Sequence, residues 1–196
     1  MIAAVVLAAG ESSRMGRDKA LLPFRSSTFL EEIVSTLEKV PVQKIVVVLG
    51  HNAEEIRSSV NLESAEVVVN FRYREGQTRS LLAGLEAVES DELEGILLCL
   101  VDHPLISADV VRKLQEEFRI RQPLLVIPAH RGERGHPVIF SRALFDEFRS
   151  LGPGEGANLV TRRHREETLF VEVDERSILK NVDTPSDYEK LTSEGE

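Results

Sequence analysis

The chain has 196 residues, room for one α/β domain with a substantial core, and its 42% hydrophobic and 29% charged content is that of an ordinary globular protein. A formal net charge of −9 excludes a broad nucleic-acid footprint, so a polyanionic ligand must be drawn by a local basic loop or a metal ion. Cys99 is the only cysteine, which excludes a disulfide framework and a cysteine-based zinc site and suits a reducing cytoplasmic setting.

Met1 to Ala9 is apolar but too short for a signal peptide and lacks a basic start. No apolar run approaches the roughly 20 residues of a membrane span. Ile2 to Leu7 reads as a buried strand, followed by Leu30, Ile33, Val34, Leu37 and Val40 at helical spacing. Lys44 to Leu49 and Ala65 to Val69 read as strands, and Leu81, Leu82, Leu85 and Val88 as a second helical stripe. Gly95 to Val101 is the next strand. Val110, Val111, Leu114 and Phe118 form a third stripe, with Ser107 placed to cap it, and the strand Leu124 to Ile127 follows. Beyond Ile127 the pattern loosens into a loop rich in Arg, Gly and His, a short strand Pro137 to Phe140, and a glycine-rich turn Gly152 to Gly156. The tail Thr192 to Glu196 is expected to fray. Continuous apolar strands alternating with helices predict a doubly wound, mostly parallel, Rossmann-like α/β sheet covered on both faces. Ligands of such sheets bind beyond the C-terminal strand ends, so residues just after strands are the candidates for chemistry.

The segment Leu7-Ala8-Ala9-Gly10-Glu11-Ser12-Ser13-Arg14-Met15-Gly16-Arg17-Asp18-Lys19 follows the first strand directly. Its small residues let backbone amides approach a ligand, and Arg14, Arg17 and Lys19 add positive charge to an acidic protein. It is neither a P-loop nor the dinucleotide fingerprint, because the glycine spacing fits neither. Asp102 ends the strand Gly95 to Val101, and Asp183 in Asn181-Val182-Asp183-Thr184-Pro185 precedes a helix. Carboxylates so placed either hold a hard cation or cap a turn.

The first segment resembles the signature L-A-A-G-x-S-x-R-M-G-x-x-K of the small nucleotidyltransferases related to molybdenum-cofactor cytidylyl- and guanylyltransferases, the MobA-like NTP transferases. Asp102-His103-Pro104 and Asn181 to Pro185 resemble that family's D-x-P and N-x-D-T-P segments. The resemblance implies that the loop, with Leu7, Ala8, Ala9 and Gly10, wraps the triphosphate, that Arg14 and Lys19 bind it, and that Asp102 and Asp183 hold Mg²⁺. Gly76 to Ser80 resembles the family's G-x-x-x-S base-recognition segment ahead of a helix, which implies that Gly76 and Ser80 contact the base. Gly135-His136-Pro137-Val138 resembles a G-H-P-V segment on the acceptor side, and charge alone adds Arg134 to Gly135, His136 and Pro137 as an acceptor-binding set. The implied layout is one domain over residues 1–196, with a nucleotide-binding half to about residue 105 and an acceptor-binding half over about 106–191.

L-A-A-G, rather than the L-A-G-G usual in guanylyl enzymes, is similar to the cytidylyl branch. It implies CTP as donor, a molybdopterin-type phosphorylated acceptor and a molybdenum hydroxylase client, with no nucleic acid and no membrane. A phosphate monoester, already anionic near neutral pH, needs no protein base to attack the α-phosphorus. A sugar-phosphate nucleotidyltransferase and a non-catalytic cofactor-delivery protein stay open as alternatives. Glu155 and Asn158 depart from the family's usual G-D-x-G-A-R turn, and His51 and His164 read as surface polar residues.

Overall fold

The computed structural model describes residues 1–152 and 154–193. Its first strand, β1 (Ile2–Ala8), is buried at every position. It is followed by a small hairpin of β2 (Pro23–Phe24) and β3 (Ser27–Thr28), then α1 (Phe29–Glu38), β4 (Ile45–Leu49), α2 (Ala53–Ser59) and β5 (Glu66–Val69). Next come α3 (Gln77–Val88), β6 (Gly95–Leu100), α4 (Ala108–Arg121), β7 (Leu125–His130), β8 (Glu133–Arg134) and β9 (Val138–Ser141). The chain closes with α5 (Phe145–Arg149), α6 (Ala157–Arg163), β10 (Thr168–Glu172) and α7 (Pro185–Ser193).

The main sheet runs β10-β7-β9-β6-β1-β4-β5, with β8 added to β7. β1 pairs in parallel with β4 and β6, β4 with β5, and β7 with β10. The short strand expected after Pro137 is β9, which lies antiparallel between β6 and β7 and joins the two halves of the chain in one sheet. The fold is therefore α/β and mostly parallel, as its apolar runs predict.

Strand alternation distributes β1 over two cores. Ile2, Ala4, Val6 and Ala8 pack with Leu30, Ile33 and Leu37 of α1 and Val110, Val111 and Leu114 of α4. Ala3, Val5 and Leu7 pack with Leu81 and Leu85 of α3 and Phe145 and Phe148 of α5. Both sheet faces are thus covered, which accounts for the unbroken apolar character of the central strands. Gly84 lets α3 sit directly on β1: a Cβ there would come within 2.4 Å of Val5 Cγ1. Helix entry follows local chemistry. Thr28 and Glu31 form a reciprocal capping box on α1, and Ser107 accepts the Val110 N–H at the start of α4.

Several boundaries move. Gln77 to Ser80 form the first turn of α3 instead of leading up to it, with Gly76 as the preceding residue. Val40 is buried but lies past the end of α1, and Leu82 is only partly buried. Thr192 and Ser193 are helical, not frayed, while 194–196 lie outside the described residues, as does Pro153 of the glycine-rich turn. A third apolar cluster ties the ends of the chain together: Met15, Leu22, Phe24 and Phe29 pack with Val182 and Leu191. No helix among the described residues is long and apolar enough to cross a membrane.

Candidate active site

The loop after β1 folds on itself. The Met15 and Gly16 N–H groups donate to the Ser12 carbonyl at 2.9 and 3.0 Å, with Ser12 and Gly16 at positive φ (49° and 73°). The Met15 side chain is buried in the third cluster, so the loop is pinned from below while its polar side faces outward. Ser12 Oγ accepts the Lys19 N–H at 3.1 Å, which sets the start of a 3₁₀ turn, Lys19–Leu21.

Two carboxylates and two cations converge beside this loop. The Val182 N–H donates to the Asp102 carbonyl at 2.8 Å and so fastens the segment carrying Asp183 to the end of β6. Lys19 Nζ lies 2.5 Å from Asp183 Oδ1 and 3.4 Å from Asp102 Oδ2, and Arg14 lies 3.1 Å from Asp183 Oδ2. The Lys19 ammonium, with Arg14 behind it, holds the Asp183 carboxyl below the ordinary range. Asp102 Oδ1 is buried and has no hydrogen-bond partner. An orphaned carboxylate oxygen next to a second carboxylate suits a hard divalent cation, which takes oxygen ligands and keeps sites for water and phosphate. Among the described residues no cluster of three or more His, Cys, Asp or Glu could enclose a metal, so an ion here would share its coordination with a ligand.

These groups border a cavity of about 270 Å³. Arg14, Lys19, Asp102 and Asp183 line it, together with Leu7, Ala8 and Gly10. Ala9, Tyr73, Gln77 and Ser80 also line it. Ser80 is buried and accepts from Asn70 Nδ2 at 3.0 Å, while Asn70 Oδ1 accepts the Arg72 N–H at 2.9 Å. Ala9 is 5% exposed, and its methyl faces Gly50: a Cβ on Gly50 would lie 2.9 Å from Ala9 Cβ. Gly76 does not line the cavity; it starts α3 at φ 109°.

The residues named for the acceptor side are not among those lining this cavity. His136 packs against His103, with ring centroids 4.7 Å apart and planes tilted by 45°, and His103 Nε2 lies 3.9 Å from Asp102 Oδ1. Burial pushes both imidazoles down, His136 to about 4, and neither Nδ1 has a partner. Gly135 sits where a Cβ would come within 2.4 Å of the Ile178 carbonyl oxygen, and its N–H donates to Pro128. Pro137 follows through a cis peptide. Arg134 lies further out on β8, its guanidinium 4.5 Å from the centroid of the Phe170 ring.

Sequence reasoning missed Tyr73, Gln77, His103 and Asp18. His51 is half-buried, not a free surface residue: its Nδ1 lies 3.3 Å from Asp18. His164 pairs with Glu147 and Glu167, which raise its pKa. Thr78 Oγ1 donates to the Glu155 carbonyl at 2.8 Å, so the glycine-rich turn touches the start of α3.

A mostly parallel sheet with a cationic loop and two carboxylates at its C-terminal edge defines an α/β enzyme of the nucleotidyltransferase class. The chain belongs to the MobA-like NTP transferase domain family, which matches residues 4–168. Among curated relatives it is 31% identical to the nicotine blue oxidoreductase of Paenarthrobacter nicotinovorans, over 97% of this chain and 96% of that protein. It is 26% identical to the molybdenum cofactor cytidylyltransferase of Escherichia coli K12, over 94% and 92%. Among solved structures, Rv0371c of Mycobacterium tuberculosis superposes with a TM-score of 0.86 at 28% identity, over 98% of both chains. The manganese complex of Rv0371c superposes with a TM-score of 0.83 at 27% identity, again over 98% of both chains.

Proposed function

We propose that the chain is a Mg²⁺-dependent cytidylyltransferase that joins CMP from CTP to the phosphate of a molybdopterin-type cofactor and releases pyrophosphate. The observation that carries this reading is the convergence of Lys19, Arg14, Asp102 and Asp183 on one cavity that also includes the uncharged Ala9, Gln77 and Ser80. In it, residues to about 105 bind the nucleotide, those over about 106–191 the acceptor, and the product serves a molybdenum hydroxylase.

Asp102 and Asp183 would hold the ion, which when bound neutralises phosphate charge and polarises the reacting phosphorus. Leu7 to Gly10 offer backbone amides to the triphosphate, and Arg14 and Lys19 neutralise charge developing on pyrophosphate. Gly76 sets the start of α3, so that Ser80 meets the base. Arg134, Gly135, His136 and Pro137 form the approach of the acceptor, whose phosphate oxygen attacks the α-phosphorus as the bond to the β-phosphate oxygen breaks. No nucleophilic side chain is required, and catalysis is positioning plus charge stabilisation.

Choice of CTP rests on the L-A-A-G loop and on the relative named a molybdenum cofactor cytidylyltransferase. A kcat/KM preference for CTP over GTP of roughly ten- to a hundredfold is expected, narrowed in Ala9→Gly. Pyrophosphate release measured with each NTP, with and without molybdenum cofactor, tests it. Equal or better use of GTP rejects the cytidylyl assignment, and release driven by a sugar phosphate redirects the acceptor. The 31% identity to a nicotine blue oxidoreductase favours a second reading, a redox reaction in the same fold. Turnover of nicotine blue by the purified protein, with no pyrophosphate release from any NTP, would select it.

A further inference from the structure

We propose that Tyr73 is the wall against which the nucleobase rests, a specificity-neutral source of nucleotide affinity at this site. The inference rests on the reading of the cavity as an NTP site. Tyr73 is the one aromatic residue among those described as lining it. Its position follows from the sheet. Asp102 follows β6 and Tyr73 follows β5, with β1 and β4 between them. Three strand spacings of about 4.8 Å separate those ends by roughly 14 Å, a span an extended nucleoside triphosphate covers. With phosphates at Lys19, Asp102 and Asp183, the base falls toward β5.

The ring is held before any ligand arrives. A Cβ on Gly50 would lie 2.7 Å from Tyr73 Cβ and 2.7 Å from the Ala9 carbonyl oxygen, so the glycine makes room for both. The Tyr73 N–H donates to the Asn70 carbonyl at 3.3 Å, and the Asn70 side chain is tied to Ser80. The His51 ring meets Tyr73 edge-on at 6.1 Å, and the Arg74 guanidinium lies 5.5 Å from its centroid. A pre-positioned aromatic surface binds every base, because every base has a π-face, and leaves discrimination to hydrogen-bonding neighbours such as Ser80 and Gln77.

Composition supplies the probe. The chain has no tryptophan and two tyrosines, and the second, Tyr188, packs on Phe29 and donates its hydroxyl to Pro23. In Tyr188→Phe, tyrosine emission therefore reports Tyr73 alone. Saturating CTP should quench that emission by at least half, after correction for nucleotide absorbance against free tyrosine, and pyrophosphate should leave it unchanged. By calorimetry, Tyr73→Ala should weaken CTP, GTP and ATP alike by roughly ten- to a hundredfold, with pyrophosphate affinity kept and Tyr73→Phe close to the parent. Nucleotide binding with silent Tyr73 emission overturns this proposal alone, as does an equal loss of pyrophosphate affinity in Tyr73→Ala. A parent protein that binds no nucleotide overturns both this proposal and the NTP reading beneath it.

Discussion

Lys19 lies between two carboxylates with its side chain only 10% exposed, so its charge acts where water screens little. Lys19→Ala should cost about 2.7–4 kcal/mol of transition-state stabilisation, a hundredfold or more in rate, in pyrophosphate-release assays. A change under about threefold in both kcat and KM rejects that role. The same substitution removes the main cause of the low Asp183 pKa. Carboxyl NMR should then find Asp183 titrating at higher pH than in the parent. Asp102→Ala should abolish most Mg²⁺-dependent turnover with circular dichroism unchanged; near-normal release by the folded variant removes Asp102 from the site. These residues are legible in the sequence because each follows an apolar strand or sits in a long, specific motif. Tyr73 and His103 are not, since an aromatic after a turn or a histidine before proline has many structural uses. Only the fold reveals that one lines the cavity and the other packs against His136.

At the scale of elements, helix α3 brings Gln77 and Ser80 to the cavity, and its placement depends on one missing methyl group. Gly84→Ala adds a Cβ 2.4 Å from Val5 Cγ1, on a stiff β-branched side chain in the central strand. Overpacking of this kind costs about 1–3 kcal/mol, more than the roughly 1 kcal/mol that alanine gains over glycine in a helix. Urea denaturation should therefore show a net loss of stability, and an unchanged or raised midpoint would mean that α3 shifts freely. The central strands and three long helices are readable from hydrophobic periodicity because they are buried as whole faces. β10 escapes it. This edge strand exposes Phe170 and Glu172 and buries only Val171, so it carries no continuous apolar run. The short α2 buries just Ala53 and Ile56, too few to mark a period.

At the scale of the whole molecule, the buried imidazole pair should contribute acid sensitivity. His136 is pushed from 6.5 in an unfolded chain to about 4 by burial, with the neighbouring His103 adding to the effect. Between those values the unfolded state binds the extra proton, so stability should fall as pH drops from 6.5 towards 4. His136→Gln should flatten that slope in thermal melts across the window; an unaltered slope assigns it to other groups. Distance along the chain adds a consequence of a different kind. The Lys19–Asp183 contact spans 164 residues, and Met15 shares its cluster with Leu191. The Lys19–Asp183 cluster is thus a clasp between segments far apart along the chain, with Val182 and Leu191 packed in the third apolar cluster beside it. A chain cut after Lys180 keeps the residues of every strand of the main sheet yet carries no second carboxylate. The site is therefore the part of the molecule most dependent on long-range closure, and loss of the residues past Lys180 should remove it while sparing the strands.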